Sequence, residues 1–209
     1  MKEEICISRK AKGQAYPNLI TLRGAGKRLN VPTFKEIHGL KAFMIAPTAI
    51  IRGVGITFGM EIRGDSEVPG MTGFYDSNLE GKMLYAAEII NEYDFGFVHI
   101  KAVDDAGHDK DLNIKVQQIE KTDRAIGKML EKLRNKGTDT IICVTGDHTT
   151  PVRYGDHSHE PVPLVMGHIN GVSVCSSKFD EIHCAKGRLG RFSGRSIIPM
   201  LVNFRNKFK

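Results

Sequence analysis

Between residues 95 and 145, two strand-like apolar runs flank one long amphipathic segment, and few architectures accept that order. Phe95-Gly96-Phe97-Val98-His99-Ile100 is nearly continuous in apolar character, as a central parallel strand should be. Asp111–Asn135 carries Leu112, Val116, Ile119, Ile126, Met129, Leu130 and Leu133 at three- and four-residue steps, which predicts a helix with one apolar face. Asp111 suits its start, Lys132, Arg134 and Lys136 its last turn, and Gly137 its end. Strand-like runs at Leu19–Leu22, Ala42–Ala46, Phe95–Val103, Thr140–Thr145 and Pro161–His168 alternate with helical patterns. Those patterns cover Pro47–Gly59, Ser77 or Asn78 to Tyr93, and Gly194–Asn203. The alternation predicts an α/β fold, a mostly parallel sheet with helices on both faces.

The 209 residues fit one domain, read as 18–209 behind a flexible N-terminal segment, 1–17. A content of 41% hydrophobic and 26% charged residues excludes disorder and collagen-like repeats. No run approaches the ~18–20 apolar residues of a membrane span. MKEEICISRK has no apolar core or small-residue cleavage site, so no secretory signal is expected. Cys6, Cys143, Cys175 and Cys184 form no CxxC pair, and Cys143 sits in the apolar run TIICVTG as a small hydrophobe. That usage fits a reducing, cytoplasmic setting. The net charge of +6 is spread along the chain without a nucleic-acid-binding signature, although it would steer a phosphate-bearing substrate.

Ligands of open α/β sheets bind at the carboxyl ends of strands, and three such segments here are rich in Asp and His. V-D-D-A-G-H-D gives Asp104 and His108, T-G-D-H-T-T-P gives Asp147 and His148, and Y-G-D-H-S-H-E-P gives Asp156, His157 and His159. Imidazole and carboxylate together are the ligand types of Zn²⁺, Mn²⁺ and Fe²⁺. Two such ions about 3.5–4 Å apart form the clamp used in phosphoryl transfer. His38, His99, His168 and His183 read as ordinary polar or core residues. Arg23-Gly-Ala-Gly-Lys27 is no P-loop, because Arg28 follows the lysine where Ser or Thr is required. The run Arg188–Arg195 reads as a glycine-rich turn before the last helix.

The order DDAGH, a helix with Lys115, Glu120, Lys121 and Asp123, TGDHTTPV, then DHSHEPVP resembles the archaeal-type cofactor-independent phosphoglycerate mutases. LRGAGK, HGLKAFMIAPTAIIRGVGITFGM and PGMTGFYDSNLEGK resemble the central stretch of the same family, and the likeness runs from about Asn18 to near the C-terminus. The resemblance implies an alkaline-phosphatase-like core and covers only the family's C-terminal half. It implies two divalent ions, Mn²⁺ foremost with Zn²⁺, Mg²⁺ or Fe²⁺ as alternatives, and no organic cofactor. Asp104, His108 and His157 would hold one ion, while Asp147 and His148 would supply two ligands to the other. The family completes the second ion with an aspartate and a nucleophilic serine that is transiently phosphorylated as 3- and 2-phosphoglycerate interconvert.

No counterpart of that aspartate or serine is found here, and Ser8 receives no catalytic role. Arg23 and Arg52 are candidate phosphate or carboxylate contacts. The expectation is therefore a cytoplasmic mutase-family chain in glycolysis or gluconeogenesis, acting on phosphoglycerate, with neither nucleic acid nor membrane as partner. The chain would be a truncated, split or degenerate form of the family, and in a split form a second polypeptide would carry the remaining half. The alternatives are a metal-dependent phosphohydrolase of the same superfamily and a non-catalytic metal-binding subunit.

Overall fold

The computed structural model describes residues 3–17, 19, 21–22, 24–27, 29–171 and 178–206. It separates into two compact units, 1–31 and 32–209. In the first unit α1, Glu4–Ala11, occupies a stretch for which the sequence suggested no element. The buried Cys6 thiol there donates to the Pro17 carbonyl. The strand expected at Leu19–Leu22 is not seen: Leu19, Thr21 and Leu22 are exposed and in no ladder, and Ile20 lies outside the described residues. An apolar run becomes a strand only where a neighbour takes up its backbone groups.

The second unit begins with α2, Phe34–His38, which starts at a Thr33/Glu36 capping box. Then come β1, Ala42–Ile45; α3, Ala49–Thr57; β2, Glu61–Ile62; α4, Leu79–Ile89; and β3, Phe95–Val98. Next are α5, Ala102–His108; α6, Leu112–Asn135; β4, Ile141–Thr145; and β5, Leu164–His168. Helices α7, Glu181–Ala185, and α8, Ile197–Asn206, complete it.

The sheet β2-β1-β3 is parallel throughout, with Phe43 opposite both Glu61 and Gly96, and helices flank it as expected. Among the described residues β4 pairs antiparallel with β5 as a separate ladder, Cys143 opposite Met166. That pairing departs locally from the parallel pattern. The strand expected over Phe95–Val103 stops at Val98, because Ala102 and Val103 already turn in α5.

Helix α6 forms as its spacing predicts. The Asp111 side chain accepts from the Ile114 N–H at its start. At its end Gly137, at φ 64°, and Thr138 return their N–H groups to the carbonyls of Arg134 and Leu133, a Schellman closure. Its apolar face places Ala125, Met129 and Leu133 on Leu79, Met83 and Ala87 of α4. Val98, Ile100 and Ile142 pack on the same cluster, so β3 and β4 share a core without sharing a ladder. A second cluster joins Phe43 and Ile45 of β1 to Ala86 and Ile89 of α4. Phe97 and Val165, both within strands, remain 39% and 47% exposed.

Burial pushes the Cys143 thiol up to about 11, consistent with an unreactive small hydrophobe. Cys6, Cys143 and Cys184 are free thiols, whereas Cys175 lies outside the described residues. No helix among the described residues is long and apolar enough to cross a membrane.

Candidate metal centre

Asp104 and His108 are four apart on α5, so one face of that short helix carries both. His157 comes from the loop between β4 and β5, 49 residues after His108, and two features bring it in. Ser158 donates its N–H to the Thr149 carbonyl, and the two hydroxyls of Thr149 and Ser158 also bond. This bridge ties the loop after β4 to the loop before β5. In addition, the His108 Nδ1 is 3.2 Å from the Gly155 carbonyl.

The result is a convergence of three donor atoms. Asp104 Oδ1 lies 3.4 Å from His108 Nε2 and 3.5 Å from His157 Nε2, and the two Nε2 atoms are 3.1 Å apart. Among the described residues these three form the one such group whose ligand atoms all lie within 4.8 Å of one another. A carbonyl can only accept, so His108 Nδ1 carries a proton and its neutral tautomer turns the Nε2 lone pair inward. Such an outer hydrogen bond is how metal-ligating imidazoles are generally oriented. The donor set therefore fits a divalent ion by both chemistry and convergence.

Thr150, 5% exposed, joins the triad to the second Asp/His pair. Its hydroxyl donates to Asp104 Oδ1 at 2.6 Å and lies 3.3 Å from His148 Nδ1. With its single hydrogen spent on Asp104, the hydroxyl accepts from His148, which leaves the His148 Nε2 lone pair free. That atom is 3.5 Å from Asp147 Oδ2, and the His148 ring overlies His157 with centroids 3.6 Å apart. Gly107 permits the close approach of Thr150, since a Cβ there would stand 2.4 Å from the Thr150 carbonyl oxygen. Lys115 holds that carbonyl from α6 at 2.6 Å.

The electrostatics favour an ionised Asp104. Burial works against its charge, but the Thr150 hydroxyl and the Lys101 ammonium at 2.9 Å outweigh it, leaving the carboxyl at about 2. Lys101 also bonds Asp105, so one cation offsets two carboxylates at the start of α5. Burial lowers the pKa of His99, whose Nδ1 has no hydrogen-bond partner.

Of the residues singled out in the sequence, Asp104, His108 and His157 come together, with Asp147 and His148 beside them as a pair. Asp156 instead accepts the His157 N–H. Arg52 forms a two-pronged pair with Asp65, and no hydrogen bond or ion pair links it to the triad. Arg23 lies outside the described residues. Sequence reading assigned no role to Thr150 or Lys82, which were visible only inside TGDHTTPV and PGMTGFYDSNLEGK, nor to Lys101, which lies outside those motifs. Lys115 was visible only as part of a motif.

The chain matches the metalloenzyme superfamily over residues 8–203. It is 38% identical over 205 residues to a 2,3-bisphosphoglycerate-independent phosphoglycerate mutase of Sulfurisphaera tokodaii, a match covering 98% of this chain and 48% of that one. A relative of the same name from Thermococcus kodakarensis is 33% identical, with 99% and 49% covered. A solved Pyrococcus horikoshii structure superposes with a TM-score of 0.80 at 34% identity, over 88% of this chain and 55% of that one. The cofactor-independent phosphoglycerate mutase of Thermoplasma acidophilum does so with a TM-score of 0.65 at 27% identity, over 98% and 47%. The chain thus spans about half the length of the curated relatives it matches.

Proposed function

The chain belongs to the metalloenzyme superfamily, and on that premise we propose that it serves as the metal-bearing part of a cofactor-independent phosphoglycerate mutase. The observation that carries the reading is the convergence of Asp104, His108 and His157. These three would hold one divalent ion, and Asp147 and His148 would contribute two ligands to a second. Mn²⁺ is the proposed ion, although the donor types also suit Zn²⁺ and Fe²⁺. An ion bound there supplies Lewis acidity toward a phosphoryl oxygen of phosphoglycerate.

The chain's own residues prepare that site. Gly155 fixes the His108 tautomer, Thr150 orients Asp104 and His148, and Lys101 keeps the Asp104 carboxylate ionised. The relay serine and its companion aspartate, which the resemblance requires, would come from the half of the relatives' length that this chain does not span, carried in a split enzyme by a second polypeptide.

The test is isomerisation of 3-phosphoglycerate in Mn²⁺, followed by phosphorus NMR. The 209 residues alone are expected to give little conversion. Co-expression with the unmatched part of the Sulfurisphaera tokodaii relative is expected to produce it. Hydrolysis of a simple phosphate ester, with no isomerisation in either sample, would replace this reading with a phosphohydrolase, for which the complete triad needs no serine. Robust isomerisation by the purified chain would remove the second polypeptide from the account.

A further inference from the structure

Lys82 has no exposed surface and sits in α4 between Leu79, Met83, Ala86 and Ala87, all of them buried. Its Nζ makes one hydrogen bond, 3.1 Å, to the main-chain carbonyl of His99. Burial lowers its pKa to about 8, and no neighbouring carboxylate counters that effect. A leucine or methionine would fill such a position without the cost of desolvating an ammonium group. Core packing alone therefore does not account for a lysine.

What the ammonium holds is the segment that leads into the metal centre. His99 follows β3 directly, and its N–H donates to the Ile45 carbonyl of β1 at 2.9 Å. The backbone of His99 is thus gripped from both sides. Its imidazole contributes no bond of its own through the buried Nδ1. Two residues later Lys101 bonds Asp104 and Asp105, and α5 then presents Asp104 and His108.

We propose that Lys82 is a positioning residue of the metal centre: by holding the His99 carbonyl it fixes the connection from β3 to α5, and with it the placement of Asp104 and His108. The proposal rests on the reading of Asp104, His108 and His157 as metal ligands.

Co²⁺ reports both affinity and ligand geometry through its visible absorption, so it tests this directly. Lys82→Met keeps the length and apolar stem but loses the donor. It is expected to melt, without metal, no more than about 3 °C below the wild type. Its Co²⁺ affinity should nevertheless fall by about tenfold or more, as removal of outer-shell support generally causes, with altered absorption bands. If Lys82→Met does not fold, Lys82→Gln is measured against the same two criteria. A smaller loss of affinity overturns the proposal. So does a larger fall in melting temperature, or failure of both variants to fold, because the lysine is then a structural element. Absence of Co²⁺ binding by the wild type removes the metal reading and the proposal together. Equal binding by wild type and variant removes the proposal alone.

Discussion

His108 and His157 face each other Nε2 to Nε2 at 3.1 Å, although 49 residues separate them. With His108 Nδ1 committed to the Gly155 carbonyl, its inward Nε2 lone pair, the facing His157 Nε2 and the Asp104 carboxylate surround a gap suited to a cation. Neither histidine makes that gap alone. It depends on the Thr149–Ser158 bridge and on the outer hydrogen bonds around the ligands.

Thr150 is the outer residue whose removal should be most telling. Thr150→Val keeps the shape but deletes the hydroxyl shared by Asp104 and His148. Mn²⁺ affinity in isothermal titration calorimetry is expected to fall roughly tenfold. Stability in urea should fall by only about 1 kcal/mol. Thr150→Ser, which restores the hydroxyl, should bind Mn²⁺ close to the wild type.

Gly107→Ala tests the close approach beneath Thr150. The added Cβ would meet the Thr150 carbonyl oxygen at 2.4 Å, a backbone atom that cannot swing aside. Overpacking of this kind costs about 1–3 kcal/mol, measurable by urea unfolding. Because the displaced strand of chain carries Thr150, Mn²⁺ affinity should drop as well.

Lys82 predicts a pH dependence of a definite sign. Its folded pKa, about 8, lies below its ordinary value of 10.5, so between those values the unfolded chain binds more protons than the folded one. The cost of burying the charge is fully present below pH 8 and disappears as pH rises toward 10.5. Relative to Lys82→Met, wild-type stability should therefore gain on the order of 3 kcal/mol across that window. Urea unfolding of both proteins at pH 7 and pH 10.5 measures it. A flat difference would mean that the ammonium is not desolvated.

Periodicity exposed α6 well, because its apolar face, Asp111 cap and Gly137 closure all agree. It did not reveal β2, whose two residues, Glu61 and Ile62, owe their strand geometry to β1 rather than to their own pattern. Nor did it indicate that β4 would pair with β5, since a short apolar run carries no record of its partner's direction. For the site, ligand chemistry marked Asp104, His108 and His157 individually. Thr150, Lys101 and Lys82 matter through their partners, and those are set by the tertiary fold. Arg52, a candidate anion contact from its residue type alone, is paired with Asp65 in the fold, a partner that its sequence neighbourhood does not reveal.

The most direct test of the central claim is Mn²⁺ titration calorimetry of the wild type, His157→Ala and His159→Ala. His159 is the natural control, two residues from the proposed ligand but outside the converging group. The wild type and His159→Ala should bind the ion, and His157→Ala should lose it. Saturating ion, at about a hundredfold over Kd, should stabilise the two binding proteins by about 2.7 kcal/mol. No binding of Mn²⁺, Zn²⁺ or Fe²⁺ by the wild type, or undiminished binding by His157→Ala, would contradict that claim.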